Sequence, residues 1–466
     1  MNTLDQPLSI NKPEFDPAHL RVHFEHTFAR ILELRDALSA GTLDFASAES
    51  QAIDEQRVLS CASHACLLEA LDEQLPETII DAGEHFEPER ERVETYTCLD
   101  GPVRVRRWVF ASTRSQRKIV PMEWRAGLIQ GQYTPRAAKV LLMGDADQDY
   151  RAAEQLRQTA GLLERSKSSA QRDITALAPV LDALDEKLEA ARCAKLGVEE
   201  EAVSMTVSVD RTGLPFEEAL KRGPGRPKKG APKNPCEVVR RQVYCACVSL
   251  VDAQGEVVTT QRFGALPGQD ERLVERASAC VGRWLELHPN LEVVTVCDGA
   301  SEMKSLARQM LGGREPEAEL VDAWHAMGYV RAALKAAGKP ESWGEVLIGK
   351  LLKNKRGARD LLTRMRTWRI RTPSEELDKC ITYFENHHER MHYAEARARG
   401  WSIGSGNVEA TCKTVVAVRF KRSGARWKER GASPLLKVRA LMASDGSVWD
   451  DAFDAFAATY VRPLAS

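Results

Sequence analysis

Four acidic residues sit where carboxylates do metal chemistry. Asp210 follows the apolar alternation VSMTVSV, Asp298 follows LEVVTVC and Asp322 follows ELV, so each acid stands at the end of a run that reads as a β-strand. The carboxyl ends of neighbouring strands in an open α/β sheet converge on one crevice. A charge so close to a core is costly without a partner. A divalent cation is the obvious one, because Mg²⁺ takes carboxylates and keeps waters for phosphate oxygens. A single strand-end Asp can equally cap the next helix, as Asp298 before Gly299-Ala300-Ser301 would; three such acids weaken that simpler reading. The fourth acid, Glu409, lies in GSGNVEATCK, whose Gly, Ser and Asn prepare a helix start. Lys413 follows one turn later on the same face, and then come Arg419, Lys421, Arg422, Arg426 and Lys428, cations suited to a DNA backbone. Trp427 among them either stacks on an unpaired base or anchors a core at the helix end.

A competing motif is His388-Glu389-Arg390-Met391-His392, a literal H-E-x-x-H, the zinc-protease signature with Glu as base. Arg390 puts a charge where such helices are apolar, which argues against a metalloprotease and leaves it a remote third reading.

The elements that must position these residues follow from periodicity. Residues 15–80 read as helices with acidic residues between the apolar positions. GPVRVRRWVFASTRSQRKIV, residues 101–120, alternates Val and Trp with Arg and reads as a strand or hairpin with a basic face. Helical patterns run from Pro135 to about Leu196. Inside them two short amphipathic segments flank Gly161, and Ser166 or Ser168 can cap the second, presenting Lys167, Ser169 and Arg172. That is either a helix-turn-helix reading the major groove or a plain helical hairpin. From about residue 203 strands dominate, two of them around the turn Asp252–Gly255. Strand and helix then alternate to His325, where a further helix begins, so the fold class is mixed α/β. Residues 340–400 read as purely helical, and the segment from Ile403 continues as one helix. Between the first two strands, KRGPGRPKKGAPKNP carries Arg222, Arg226, Lys228 and Lys229 on a Pro/Gly frame that forbids regular structure. Its Gly-Arg-Pro core is similar to a minor-groove AT-hook, against the simpler alternative of a solvated loop.

The charge of −1 over 466 residues hides an asymmetry: residues 1–100 carry 7 basic and 21 acidic side chains, or −14, leaving +13 for the remainder. Residues 351–440 alone sum to +12. Basic segments of this kind point to DNA, and the acidic head is read as folding against the basic face to limit non-specific binding. No apolar run approaches the ~18 residues of a membrane helix. No basic-then-apolar leader is readable at the start, and the eleven cysteines include no C-x-x-C, so reduced thiols in a cytosol are expected. Cys245 and Cys247 share one strand face and read as packing. A secreted disulfide scaffold and a transporter are excluded.

VSVDRTGLPFEE, VCDGASEMK, LVDAWHAMGYV and NHHERMHYAEARARGWSIGSGNVEATCKTVVAVRFKRSGARWKE, in this order, resemble bacterial insertion-sequence DDE transposases, specifically the ISKra type related to the Mutator-like enzymes. The resemblance spans roughly residues 200–450 and is most specific at GSGNVEATCK and KRSGARW. It implies a ribonuclease H-like catalytic domain with an all-helical insertion, preceded by a mainly helical N-terminal region. It also implies Asp210, Asp298 and Glu409 as a catalytic triad holding two Mg²⁺ (or Mn²⁺). The D-x-x-H element would be Asp322 and His325, in an auxiliary role. The zinc ribbon of many relatives is not matched by Cys61, His64, Cys66 and Cys98. The implied partners are double-stranded terminal repeats and target DNA, bound by a homo-oligomer in the bacterial cytoplasm at the nucleoid. The expected organisation is an acidic helical region (1–100) and a basic DNA-binding region (101–200). A catalytic core follows in two parts (201–339 and 401–466) around the insertion (340–400). A regulator or domesticated relative that binds DNA without catalysis is the alternative.

Overall fold

The computed structural model describes residues 17–464 apart from 74, 161, 164–165 and 220–235. It divides into two compact units, residues 1–172 with 453–466 and residues 173–452. None of its described helices is long and apolar enough to cross a membrane.

The first unit opens with two helices, α1 (Pro17–Ser39) and α2 (Phe45–Ala70), the second capped by the Asp44 side chain accepting from Ser47 N. An antiparallel sheet follows in the order β1 (Ile79–Asp81), β2 (Glu84–Cys98), β3 (Gly101–Ser112) and β4 (Lys118–Ile119). On β3, Val103, Val105 and Val109 alternate inward while Arg104 and Arg106 face out, the period-2 pattern of a half-buried strand. Leu68 of α2 closes the core with Tyr96, Cys98, Val103 and Val105.

Two expectations change here. Residues 1–100 are not purely helical: ERERVETYTC, which its charges disguise, is a strand. Its charges pair with those of β3 and β4, in the pairs Glu91–Arg106 at 3.6 Å, Glu94–Arg107 at 3.5 Å and Glu89–Lys118 at 2.6 Å. Opposite charges across a strand pair are mutually stabilising. The acidic head therefore contributes a strand of the same sheet to the basic segment. A cleft of about 1040 Å³ lies between α2 and β3, walled by Arg57, Glu69, Asp72, Arg106 and Trp108. Burial pushes the Asp72 carboxyl up to about 6, although Trp108 N donates to it.

Helices α3 (Pro121–Arg125), α4 (Pro135–Asp147) and α5 (Tyr150–Thr159) complete this part of the chain. The α4–α5 hairpin is sealed by a buried pair, Asp145–Arg157, at 3.2 Å. Next, α6 (Lys167–Ala183) runs across the boundary of the units.

In the second unit α7 (Asp185–Lys195) precedes a five-stranded sheet of β5 (Ala202–Ala219), β6 (Cys236–Asp252), β7 (Val257–Ala265), β8 (Glu292–Cys297) and β9 (Ala318–Val321). Spatial order is β7-β6-β5-β8-β9, the first three antiparallel and the last two parallel to β5. The parallel connections pass through α8 (Asp270–Leu287) and α9 (Ser301–Gln309), as parallel pairing requires. Trp284 of α8 fills the core with Val207, Val248 and Val293. After α10 (Ala323–Ala336) come α11 (Trp343–Lys353), α12 (Gly357–Arg371), α13 (Glu375–His387) and α14 (Tyr393–Ala398), which share an apolar core with α10. The chain then enters α15 (Gly406–Thr411), a π-helical stretch (Cys412–Ala417), α16 (Val418–Phe420), α17 (Glu429–Met442) and α18 (Val448–Ala458).

The shared sheet predicts the outcome of truncation. A chain of residues 101–466 loses β1 and β2, leaving Val103, Val105 and Val109 on an unpaired strand edge. It should lose the first unit's cooperative unfolding transition and aggregate. A monodisperse truncation product with an intact transition would show instead that residues 1–100 are a removable module.

Candidate active site

Asp210 is not at a strand end. β5 continues nine residues further, held along its whole length by β6, with Asp210 opposite Cys245. What ends is its other neighbour: β8 pairs only with residues 204–207. Asp210 lies half-buried just past that point, before Trp427 takes up the same edge of β5 at residues 215–217. Asp298 directly follows β8, so the two carboxylates meet where the parallel pairing stops. Asp298 accepts from Ala300 N at 3.0 Å, closing a tight turn before α9. Burial raises the affinity of Asp210 for its proton and the charge of Asp298 raises it further, against opposing hydrogen bonds from Arg211 N and the Cys412 thiol. Arg211 itself pairs with Glu302, which also accepts from Tyr244 Oη at 2.5 Å.

Asp322 is the N-cap of α10 and is buried. Its Oδ1 accepts from His325 N at 2.7 Å and lies 3.1 Å from His325 Nδ1, while its Oδ2 accepts from Ser405 N at 2.5 Å and Ser405 Oγ at 2.7 Å. Burial works to raise its pKa, but the hydrogen bonds from His325 and Ser405 outweigh it and hold the carboxyl at about 2. His325 is raised in turn, first by its bond to Asp322 and then by the charges of Asp322, Asp298 and Asp210. Asp210, Asp298, Asp322 and His325 thus form one electrostatic group.

Ser405 begins the helix that carries Glu409. Val408, Thr411 and Cys412 bury the inner face of this segment, and Cys412 Sγ stands 3.6 Å from Asp210 Oδ2. Glu409 is one turn before that contact, but its exposed carboxylate lies 2.8 Å from Lys413 Nζ. The expected single helix is interrupted by the π turn at 412–417, whose carbonyls are bound by a buried guanidinium: Arg439 Nε donates to Val415 O at 2.8 Å, and the same side chain reaches Thr414 O. Cys245 and Cys247 are buried, as expected for packing, and burial pushes the Cys247 thiol to about 12.

The helical segment reaches the site through Gly299. A Cβ there would stand 2.7 Å from His387 Nε2 and 3.2 Å from Tyr383 Cε2, so only glycine lets α13 approach Asp298. Tyr383 Oη, His387 Nδ1 and Arg390 Nε are buried there without hydrogen-bond partners among the described residues, although an unsatisfied buried polar group costs about 1–3 kcal/mol.

The remaining candidates divide. Lys167 and Arg172 are exposed at the start of α6, with Ser166 Oγ accepting from Ser169 N as the cap. Lys413, Lys421 and Arg426 are exposed; Lys421 donates to Thr212 Oγ1, two residues along β5 from Asp210. Arg422 is half-buried and donates to Val418 O. Arg222, Arg226, Lys228 and Lys229 lie outside the described residues. Two expectations are corrected. Trp427 is 7% exposed, packs on Phe420 and donates to its carbonyl, so it is a core anchor with no face open to a base. Arg419 is buried over the Trp427 ring and is not a surface cation. The H-E-x-x-H reading fails too: α13 stops at His387 and residues 388–390 form a 3₁₀ turn, so His388 and His392 do not share one α-helical face. Sequence reasoning missed Cys412, Tyr383 and His387, and it passed over Trp324, which stands exposed between Asp322 and His325.

Among the described residues no three His, Cys, Asp or Glu side chains gather as a metal site. Asp210 and Asp298 nevertheless fit a divalent cation by their chemistry: two neighbouring oxygen donors whose mutual repulsion such an ion relieves. Glu409, as placed, is engaged by Lys413. The chain matches no family model and no curated protein.

Two outcomes follow. Because the pKa of Asp322 is depressed in the fold, its stabilising contribution is present above about pH 4 and is lost as pH falls through about 2, on the order of 2 kcal/mol at neutral pH. The denaturation difference between wild type and Asp322→Asn should therefore narrow from pH 7 to pH 3. In the same variant the imidazole NMR titration of His325 should move to lower pH, and an unmoved midpoint would break the coupling. Trp427→Ala should cost about 3–5 kcal/mol of stability as a core truncation, read by urea denaturation.

Proposed function

We propose that the chain is a DDE-type transposase that cuts insertion-element ends and joins them to target DNA. The observation that carries the reading is the meeting of Asp210 and Asp298 where β8 leaves β5, with the Glu409 helix docked beside Asp210 through Cys412. A sheet of three antiparallel strands followed by two parallel ones supports a ribonuclease H-like domain. Helices α11–α14, lying between β9 and α15, are the helical insertion of that reading.

The roles follow from the geometry. Asp210 and Asp298 form the anionic pair that would hold Mg²⁺ or Mn²⁺, which when bound activates a water and stabilises the leaving 3′-oxygen. Glu409 supplies the third carboxylate once Lys413 turns to a phosphate. His325, whose proton affinity is raised first by its bond to Asp322, would stand beside the anionic pair where a DNA phosphate approaches. Arg211 on β5 and Lys421, which donates to the neighbouring Thr212 Oγ1, suit the backbone of the scissile strand. The unsatisfied Tyr383, His387 and Arg390 atoms beside Asp298 support a site built to receive a further polar group. Double-stranded element ends and target DNA, two copies of the chain to join two ends, and a place at the bacterial nucleoid complete the proposal.

One observation favours a second reading, a DNA-binding protein without catalysis: Glu409 is paired with Lys413 and not directed to the acidic pair. Nicking separates the two. With Mg²⁺ and duplexes made from the DNA flanking the coding region, wild type should nick one strand. Asp210→Asn, Asp298→Asn and Glu409→Gln should each abolish nicking while end binding stays nearly intact. Cleavage retained by Asp210→Asn sinks the triad; a wild type that binds without nicking supports the second reading.

A further inference from the structure

Trp324 is 62% exposed on the first turn of α10. It stands between Asp322 and His325, and His325 feels the charges of both Asp298 and Asp210. The six-membered ring of its indole rests on Gly404, where a Cβ would stand 2.5 Å from Cζ3 and 2.8 Å from Cε3. Gly404 in turn precedes Ser405, whose N–H and hydroxyl are bound by Asp322. One carboxylate therefore fixes both the loop beneath the indole and the imidazole next to it. The ring lies close over a residue without a side chain, yet most of its surface meets water. Packing explains the Gly404 contact and leaves the exposure unexplained, since indoles usually bury most of their area.

We propose that Trp324 is a nucleobase-binding position, its indole stacking on a base unpaired next to the phosphodiester presented to Asp210 and Asp298. This deepens the transposase reading and rests on it for the identity of the strand. Stacking suits such a place because every base has a π-face, so the contact holds whatever the local sequence. The position also agrees with the chemistry beside it: an opened base lets the backbone bend toward carboxylates that sit at a sheet edge.

The test uses the full-length protein in EDTA, a fluorescent oligothymidylate and a fully paired duplex of equal length. Trp324→Ala should weaken oligothymidylate binding about tenfold or more, while Trp324→Phe, which keeps a ring, should recover most of the loss. Duplex affinity and the thermal midpoint should hardly change in either variant. Unchanged oligothymidylate binding by Trp324→Ala overturns the proposal, as does an equal loss on single strand and duplex. The two readings fail separately: a wild type that never nicks DNA but shows the Trp324-dependent single-strand binding refutes the transposase and keeps the base-binding position.

Discussion

The second unit depends on the buried carboxylate of Asp322. It ends β9, starts α10, orients His325 and grips Ser405 at the head of the Glu409 helix. The backbone repeats the junction, with Asp322 N donating to Cys297 O and Ala323 N to Ile403 O. Three stretches far apart in sequence, at 297, 321–325 and 403–405, converge on one residue, and the carboxylate is fully satisfied there, which is what makes its burial tolerable. The imidazole and the loop beneath the exposed indole inherit their positions from it. A strand-end Asp that merely caps a helix and one that organises a site are here the same residue.

Around this junction the structure reaches close approach by subtraction. Gly299 lets His387 and Tyr383 reach the turn after Asp298, and Gly404 lets Trp324 lie over the loop before Ser405. Each contact brings a large ring against bare backbone, and neither glycine needs a positive φ to do it. Helix α13 is thereby fitted to the turn after β8, and an aromatic stack, Tyr329 on Tyr383 with centroids 3.8 Å apart, continues to His387 and ties it to α10.

Much of this was legible in the residues, and the failures have physical causes. Apolar alternation located the first part of β5 with β6 to β9, and periodicity located α8 to α10 and a helical stretch over 340–400, because both patterns are local. The far half of β5, past the strand end read at Asp210, contains Gly213 and Pro215, which weaken a strand pattern. Those residues are tolerated because the register is set by seventeen residues of β6 and by Trp427, whose N–H bonds Pro215 O and whose O accepts from Glu217 N. β2 was hidden by its charges, since only a basic partner strand makes EPERERVE a sheet sequence. Burial of Arg419 and Trp427 depends on Phe420 and Phe216, contacts that no spacing rule reports. The two readings of Trp427, base stacking or core anchor, stayed open in the sequence for the same reason: exposure is a property of the fold, and burial decides for the anchor.

The π-helical stretch has a consequence in chain length rather than composition. Residues 412–417 hold one residue more than an α-helical path of the same span needs. Arg439 takes up the carbonyls this displaces. Deleting any one residue of that stretch would let the α-helix run through unbroken. Because a π turn absorbs its extra residue with little net rotation, Glu409 would keep its direction relative to the Phe420–Trp427 anchor, while the carbonyls that Arg439 binds would return to the helix ladder. The extra residue and the buried guanidinium are therefore matched, and a chain shortened by one at this point would take from Arg439 the two acceptors it now holds.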